Sequence, residues 1–297
     1  MENLNQKQRF LFDHAPVRGI HVQLNNVWQD ILQQKAYPKA IEKALGELLA
    51  AGVLLASNLK FDGQLILQVQ GQGVLKMLVV EATSDHTCRA TARWDESQTP
   101  ADDADLKSLL GEGGVFVMTL QPKGGEQWQG IVALSGDSIA QMLMDYMKQS
   151  EQLATHISLA HSDQAVAGLL LQKLPQEAFE DPNEWQNLEA LTQTVKAEEL
   201  LTLPAETVLY RLYHESPPRL FEAEDVAFAC TCSQQKVSDM LLLIGGEEVG
   251  SVLNEQGSIQ INCDFCHKAY VFDEADVTEL FGMDVGAAVA AEQQRNQ

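Results

Sequence analysis

Four of the chain's five cysteines fall in its last 68 residues, as Cys230-Thr231-Cys232 and, after 30 intervening residues, Cys263-Asp264-Phe265-Cys266. No other feature restricts the fold so strongly. Two close pairs joined by a returning segment deliver four thiolates to one tetrahedral ion, each pair spanning one edge of the tetrahedron. The spacing predicts a zinc site built from Cys230, Cys232, Cys263 and Cys266. A structural zinc contributes on the order of 10–16 kcal/mol of apparent binding free energy. A unit below ~70 residues rarely draws more than about 3–5 kcal/mol from its own core. Residues 230–297 also carry a net charge of −8, so loss of the metal is expected to unfold them.

The second pair has two other readings. Cys263-Asp264-Phe265-Cys266-His267 matches the C-x-x-C-H pattern of covalent haem attachment. That chemistry needs export and leaves Cys230 and Cys232 without a purpose, so His267 reads as a surface residue beside a metal knuckle. A thioredoxin-like dithiol at Cys263 and Cys266 would make the chain a thiol–disulfide oxidoreductase, but such a pair opens a helix. Here Lys268 to Phe272 is Tyr- and Val-rich and reads as strand. A disulfide within C-x-C would close a tight, strained ring of the labile kind, and zinc keeps the thiolates in the form that oxidants attack. Cys88, alone on an expected strand, reads as a buried, inert thiol with no role.

Charge excludes further classes. With 42 acidic and 20 basic residues the formal net charge is −22, against the basic face that nucleic acid or an anionic membrane requires. A zinc-ribbon nucleic-acid module is disfavoured because only Lys236, Lys268 and Arg295 are basic after residue 229. The charge is uneven: residues 1–175 are net −5 and residues 176–297 net −17, so self-repulsion should make the second part the less firmly folded. The polar start and a longest apolar run of nine residues, Leu48 to Ala56, suggest neither a leader nor a span. A cytoplasmic, reducing location is expected, where stable disulfides are uncommon.

Periodicity places two helical pieces over residues 26–59, divided at Tyr37-Pro38, then a hairpin from Gly63 turning at Gly71-Gln72-Gly73. Strands fit 87–94, 115–120 and 128–134, and a helix fits 137–148. Strands flanked by helices without regular alternation argue an α+β fold with an antiparallel-rich sheet. From about 176 to 229 the chain is acidic, net −9, and reads as an amphipathic pair of helices with Trp185, Leu188, Leu191 and Val195 on one stripe. The expected organisation is an N-terminal α+β domain over 1–175, a helical linker over 176–229 and a small zinc-binding domain over 230–297. There is no H-E-x-x-H, Walker loop or G-x-S-x-G elbow, and no catalytic residue is expected.

Several stretches together resemble a known family, the redox-regulated bacterial heat-shock chaperones called 33 kDa chaperonins. They are Val17-Arg18-Gly19, Leu59-Lys60-Phe61-Asp62-Gly63, Ser150-Glu151-Gln152, Glu198 to Pro204, and Phe228 to Ser233 with Cys263 to Cys266. The resemblance implies an ATP-independent holdase rather than an enzyme, with the first domain binding clients and dimerising. It implies one zinc on Cys230, Cys232, Cys263 and Cys266 in the reduced, inactive state. On oxidation it implies Cys230–Cys232 and Cys263–Cys266 disulfides, zinc release, unfolding of the C-terminal domain and destabilisation of the linker. The active form is expected to be a homodimer that holds unfolding proteins. His267, directly after the last ligand, departs from the pattern.

Overall fold

The structure, a computed structural model, describes residues 4–134, 136–174 and 183–282. The fold is α+β, as expected, and divides into two compact units, one ending at Ala229 and one beginning at Cys230.

The first unit opens with strands β1 (Asn5–Leu11) and β2 (Val17–Leu24), then helices α1 (Asn26–Gln34) and α2 (Lys39–Ala56). A meander follows: β3 (Gly63–Gln70), β4 (Leu75–Thr83) and β5 (Thr87–Trp94). Next come α3 (Leu106–Leu110), β6 (Val115–Pro122), β7 (Trp128–Ala133), α4 (Ile139–Gln149), β8 (Thr155–His161) and β9 (Val166–Lys173). Helices α5 (Glu184–Thr192), α6 (Ala197–Thr202) and α7 (Ala205–Tyr213) lead to the two-residue strands β10 (Arg219–Leu220), β11 (Glu224–Asp225) and β12 (Ala227–Phe228).

One antiparallel sheet runs β10-β1-β2-β9-β8, with β11 also on β1; the other runs β12-β5-β4-β3-β6-β7. Helix α2 lies between the sheets. Fifteen of its 18 residues are buried, the signature of a helix that is apolar all round and covered on every side. Its glycines set how closely it approaches: a Cβ on Gly46 would stand 2.7 Å from Val166 of β9, and one on Gly52 2.6 Å from Val80 of β4. The main core accordingly joins Ile20 and Leu170 from one sheet, Leu45, Leu48 and Leu49 from α2, and Leu67 and Val80 from the other.

The first sheet is covered on its other face as well. Leu169 and Leu171, alternating with Leu170 along β9, join Phe10, Phe12 and Val17 under Trp185, Leu188, Leu200, Val208 and Leu212 of α5–α7. Phe12 and Tyr213 meet edge to face at 5.1 Å, and Tyr213 shares a 2.6 Å hydrogen bond with the fully buried Thr192. The expected pair of helices is thus three short ones, with Pro204 capping α7. Leu191, expected on the same stripe, is 40% exposed.

The second unit holds α8 (Gln234–Ile244), α9 (Gly246–Gln256), the hairpin β13 (Ile259–Asn262) and β14 (Ala269–Phe272), and α10 (Glu274–Phe281). Its buried apolar core among the described residues comprises Leu241, Val249, Leu253, Ile259, Tyr270, Phe272 and Val277. No helix among the described residues is long and apolar enough to cross a membrane.

Leu48 is fully buried within the helix that both sheets enclose. Leu48→Ala is expected to cost about 2–5 kcal/mol in urea unfolding; a loss within the ~0.5 kcal/mol typical of surface sites would contradict the sandwich.

Candidate metal centre

Each cysteine pair is held by a local device. Cys230 and Cys232 directly precede α8, whose N-cap Ser233 accepts from the Lys236 backbone N–H at 3.2 Å. That cap fixes where the helix starts, and the partial positive charge of its first turn favours a thiolate nearby. Cys263 and Cys266 form the tip of the β13–β14 hairpin, after the Asn262↔Ala269 register pair. The Cys263 N–H donates to Lys268 O at 3.0 Å and the His267 N–H to Cys263 O at 2.8 Å. The loop closes through His267 at φ +52°, a left-handed conformation that a non-glycine residue adopts at some cost.

The structure brings together all four cysteines singled out from the sequence. Their Sγ atoms lie within 4.8 Å of one another. Between the pairs, Cys230 Sγ lies 3.6 Å from Cys263 Sγ and Cys232 Sγ 3.5 Å from Cys266 Sγ. A tetrahedral ion with metal–sulfur bonds of ~2.3 Å has sulfur–sulfur edges of about 3.8 Å, so these residues fit a single thiolate-bound metal. Cys88 and His267 do not belong to the cluster. Cys88 is buried in the first unit, and burial pushes its thiol up to about 12, consistent with an inert group. His267 is exposed.

The sulfurs perturb one another's ionisation. Burial, then the neighbouring sulfurs, push the Cys266 thiol up to about 12, and burial raises that of Cys263. Burial also opposes ionisation of Cys232, but the Tyr270 hydroxyl and the neighbouring sulfurs overcome it and bring that thiol down to about 7. Four thiolates cannot share this space without opposite charge; a coordinated divalent cation removes the protons outright.

Tyr270 was not anticipated. Its hydroxyl donates to Cys232 Sγ at 3.0 Å, while its ring is buried in the small core. Strand alternation was the available signal, because in Ala269-Tyr270-Val271-Phe272 it turns Tyr270 and Phe272 inward together. After Cys266 the chain enters β14 and not a helix, so this pair lacks the helix N-terminus of a thioredoxin-like dithiol.

Comparison with known proteins adds an independent line. The family model described as Hsp33 protein matches residues 5–273. A 33 kDa chaperonin of Neisseria meningitidis serogroup A is 65% identical over 279 residues, covering 94% of this chain and 92% of that protein. A 33 kDa chaperonin of Chromobacterium violaceum is 54% identical over 290 residues, with 97% of each chain covered. The crystal structure of a 33 kDa chaperonin from Thermotoga maritima superposes with a TM-score of 0.79 over 94% of this chain and 98% of that one. At 20% identity it supports the fold.

A hydrogen bond to a ligating atom typically carries 10–100-fold in metal affinity. Tyr270→Phe is expected to weaken metal binding about tenfold in competition with a chromophoric chelator; unchanged affinity would show that the Tyr270 contact does not support the site.

Proposed function

The chain belongs to the Hsp33 protein family, and on that premise we propose that it is an ATP-independent molecular chaperone switched by thiol oxidation. The observation that carries this reading is the gathering of four sulfurs within 4.8 Å in a unit whose core, among the described residues, has seven buried apolar side chains. In the reduced state Cys230, Cys232, Cys263 and Cys266 hold one zinc, which ties the start of α8 to the hairpin tip. The chaperone is then inactive.

Peroxide converts Cys230 with Cys232, and Cys263 with Cys266, to disulfides. In each conversion two thiolates give up two electrons to one peroxide, which takes two protons and leaves as two waters. The ligand set is lost, and with it the metal. About 10–16 kcal/mol of binding free energy then no longer offsets repulsion in a unit whose core supplies about 3–5 kcal/mol, so the unit unfolds.

The effect passes along the chain into the segment just before Cys230. Helices α5, α6 and α7 span 9, 6 and 9 residues, each too short to persist alone in water. They depend on their packing over Phe10, Phe12, Val17, Leu169 and Leu171. Residues 176–229 are net −9, which weakens that packing further. Lifting them bares a contiguous apolar face that takes up unfolding clients. The active form is a homodimer in a reducing, cytoplasmic setting, and no turnover of a substrate is involved.

Light scattering of a thermally unfolding client tests the switch. Peroxide-treated protein is expected to suppress aggregation at near-stoichiometric amounts, and reduced zinc-loaded protein to leave it unchanged. Equal behaviour of the two forms would overturn the reading, as would catalytic turnover of an insulin disulfide that survives Cys230→Ser and Cys232→Ser.

A further inference from the structure

Two sequence motifs with no part in the switch meet at one cavity of the first unit. Arg18 and Gly19 of Val17-Arg18-Gly19 lie on β2, and Leu59 and Lys60 of Leu59-Lys60-Phe61-Asp62-Gly63 follow the end of α2, some forty residues later. Both pairs line a cavity of about 260 Å³ that also receives Arg9 and Phe221.

Its charge runs against the rest of the molecule. The chain has 42 acidic and 20 basic residues, yet the lining holds Arg9, Arg18 and Lys60 and no carboxylate. Arg18 is the focus. Its Nε and Nη2 donate to a single acceptor, Gln172 Oε1, at 3.1 and 2.6 Å, and among the described residues it makes no ion pair. Gln172 is itself fixed, its amide donating to Thr155 Oγ1 at 2.9 Å. The neutral Gln172 thus orients the guanidinium without neutralising it, leaving the Nη1 side of the fork to an incoming acceptor. Arg9 is shared with Glu224 only at 3.5 Å. Phe221 has the guanidinium carbons of Arg9 and Arg219 at 5.9 and 5.3 Å from its ring, and Arg219 is paired with Asp13 at 3.0 Å. Lys60 is exposed at the rim.

Apart from Ser57 and Asn58, the remaining wall is made of apolar residues. Leu11, Leu59 and Leu174 are half-buried and Phe221 is exposed, so these four present apolar surface to the cavity. Cations beside an apolar wall match a ligand with an oxyanion head and a hydrocarbon body. We propose that this cavity binds a small amphipathic monoanion, its carboxylate on Arg18 and Lys60 and its apolar body against Leu11, Leu59, Leu174 and Phe221.

Octanoate is the probe, titrated into the reduced, full-length, zinc-loaded protein and followed by nitrogen-15 NMR. It is expected to bind one to one and to shift the backbone amides of Arg18, Leu59 and Lys60 and the Arg18 side-chain Nε–H. Affinity should fall about tenfold for Arg18→Gln, in line with loss of a charge-assisted hydrogen bond, and severalfold for Lys60→Gln. The Lys60 side chain is exposed, so that variant remains informative if Arg18→Gln perturbs the sheet. Raising ionic strength should weaken binding. Octanamide, with the body but no charge, should not saturate the site, and inorganic phosphate, with charge but no body, should need at least tenfold more. Octanamide or phosphate as potent as octanoate, unmoved resonances at residues 18, 59 and 60, or wild-type affinity in both variants would overturn the proposal.

Discussion

Four sulfurs held within 4.8 Å of one another impose the constraint on which the second unit depends. Thiolates at that distance repel, and as thiols they offer weak hydrogen bonds and modest packing. The surrounding structure has little with which to resist. Among the described residues its sheet is a two-stranded hairpin, an element marginal by itself in water, and its core draws one or two residues from each element. On the proposed reading, a metal held by two cysteines ahead of α8 and two at the hairpin tip closes the structure between segments more than 30 residues apart. Few other contacts could bring that much free energy to so small a unit.

The first unit is stabilised differently. Helix α2 is covered by sheets on both sides, and its core extends from Ile20 through Leu48 to Val80. No single contact there holds the free energy of a metal site; the stability is spread over dozens of buried side chains. The outer layer, α5–α7, is intermediate: apolar below, acidic above, and made of helices too short to stand alone. In the proposed switch, this gradient from a dispersed core, through a thin cover, to a small cysteine-bearing unit lets a change at four sulfur atoms act on part of the molecule while the rest stays folded.

Much of this was legible in sequence because local rules governed it. Pro38 divides α1 from α2, and the alternation of Leu65, Leu67 and Val69 marks β3. The cysteine spacing identified four residues whose sulfurs the structure gathers. What escaped notice was set by tertiary contact. In Val166–Lys173 of β9 seven of eight residues are buried, so covering on both faces erases the alternation that marks a strand. The polar β1 is a strand because β2 pairs with it from Asn5↔Leu24 to Leu11↔Arg18, not because of its own pattern. Strands β10 to β12 have two residues each, too few for any period. Tyr270 against Cys232, and Arg18 near Lys60, are juxtapositions that only the folded chain creates.

Metal content and secondary structure followed together during oxidation test the central claim most directly. Zinc appearing in a chelating dye and far-UV circular dichroism would be recorded on one peroxide-treated sample of the full-length protein. Helical signal corresponding to α8–α10 should be lost with the same time course as zinc appears, while most of the remaining signal persists. Full release of zinc with undiminished dichroism would contradict the dependence of the second unit on its metal.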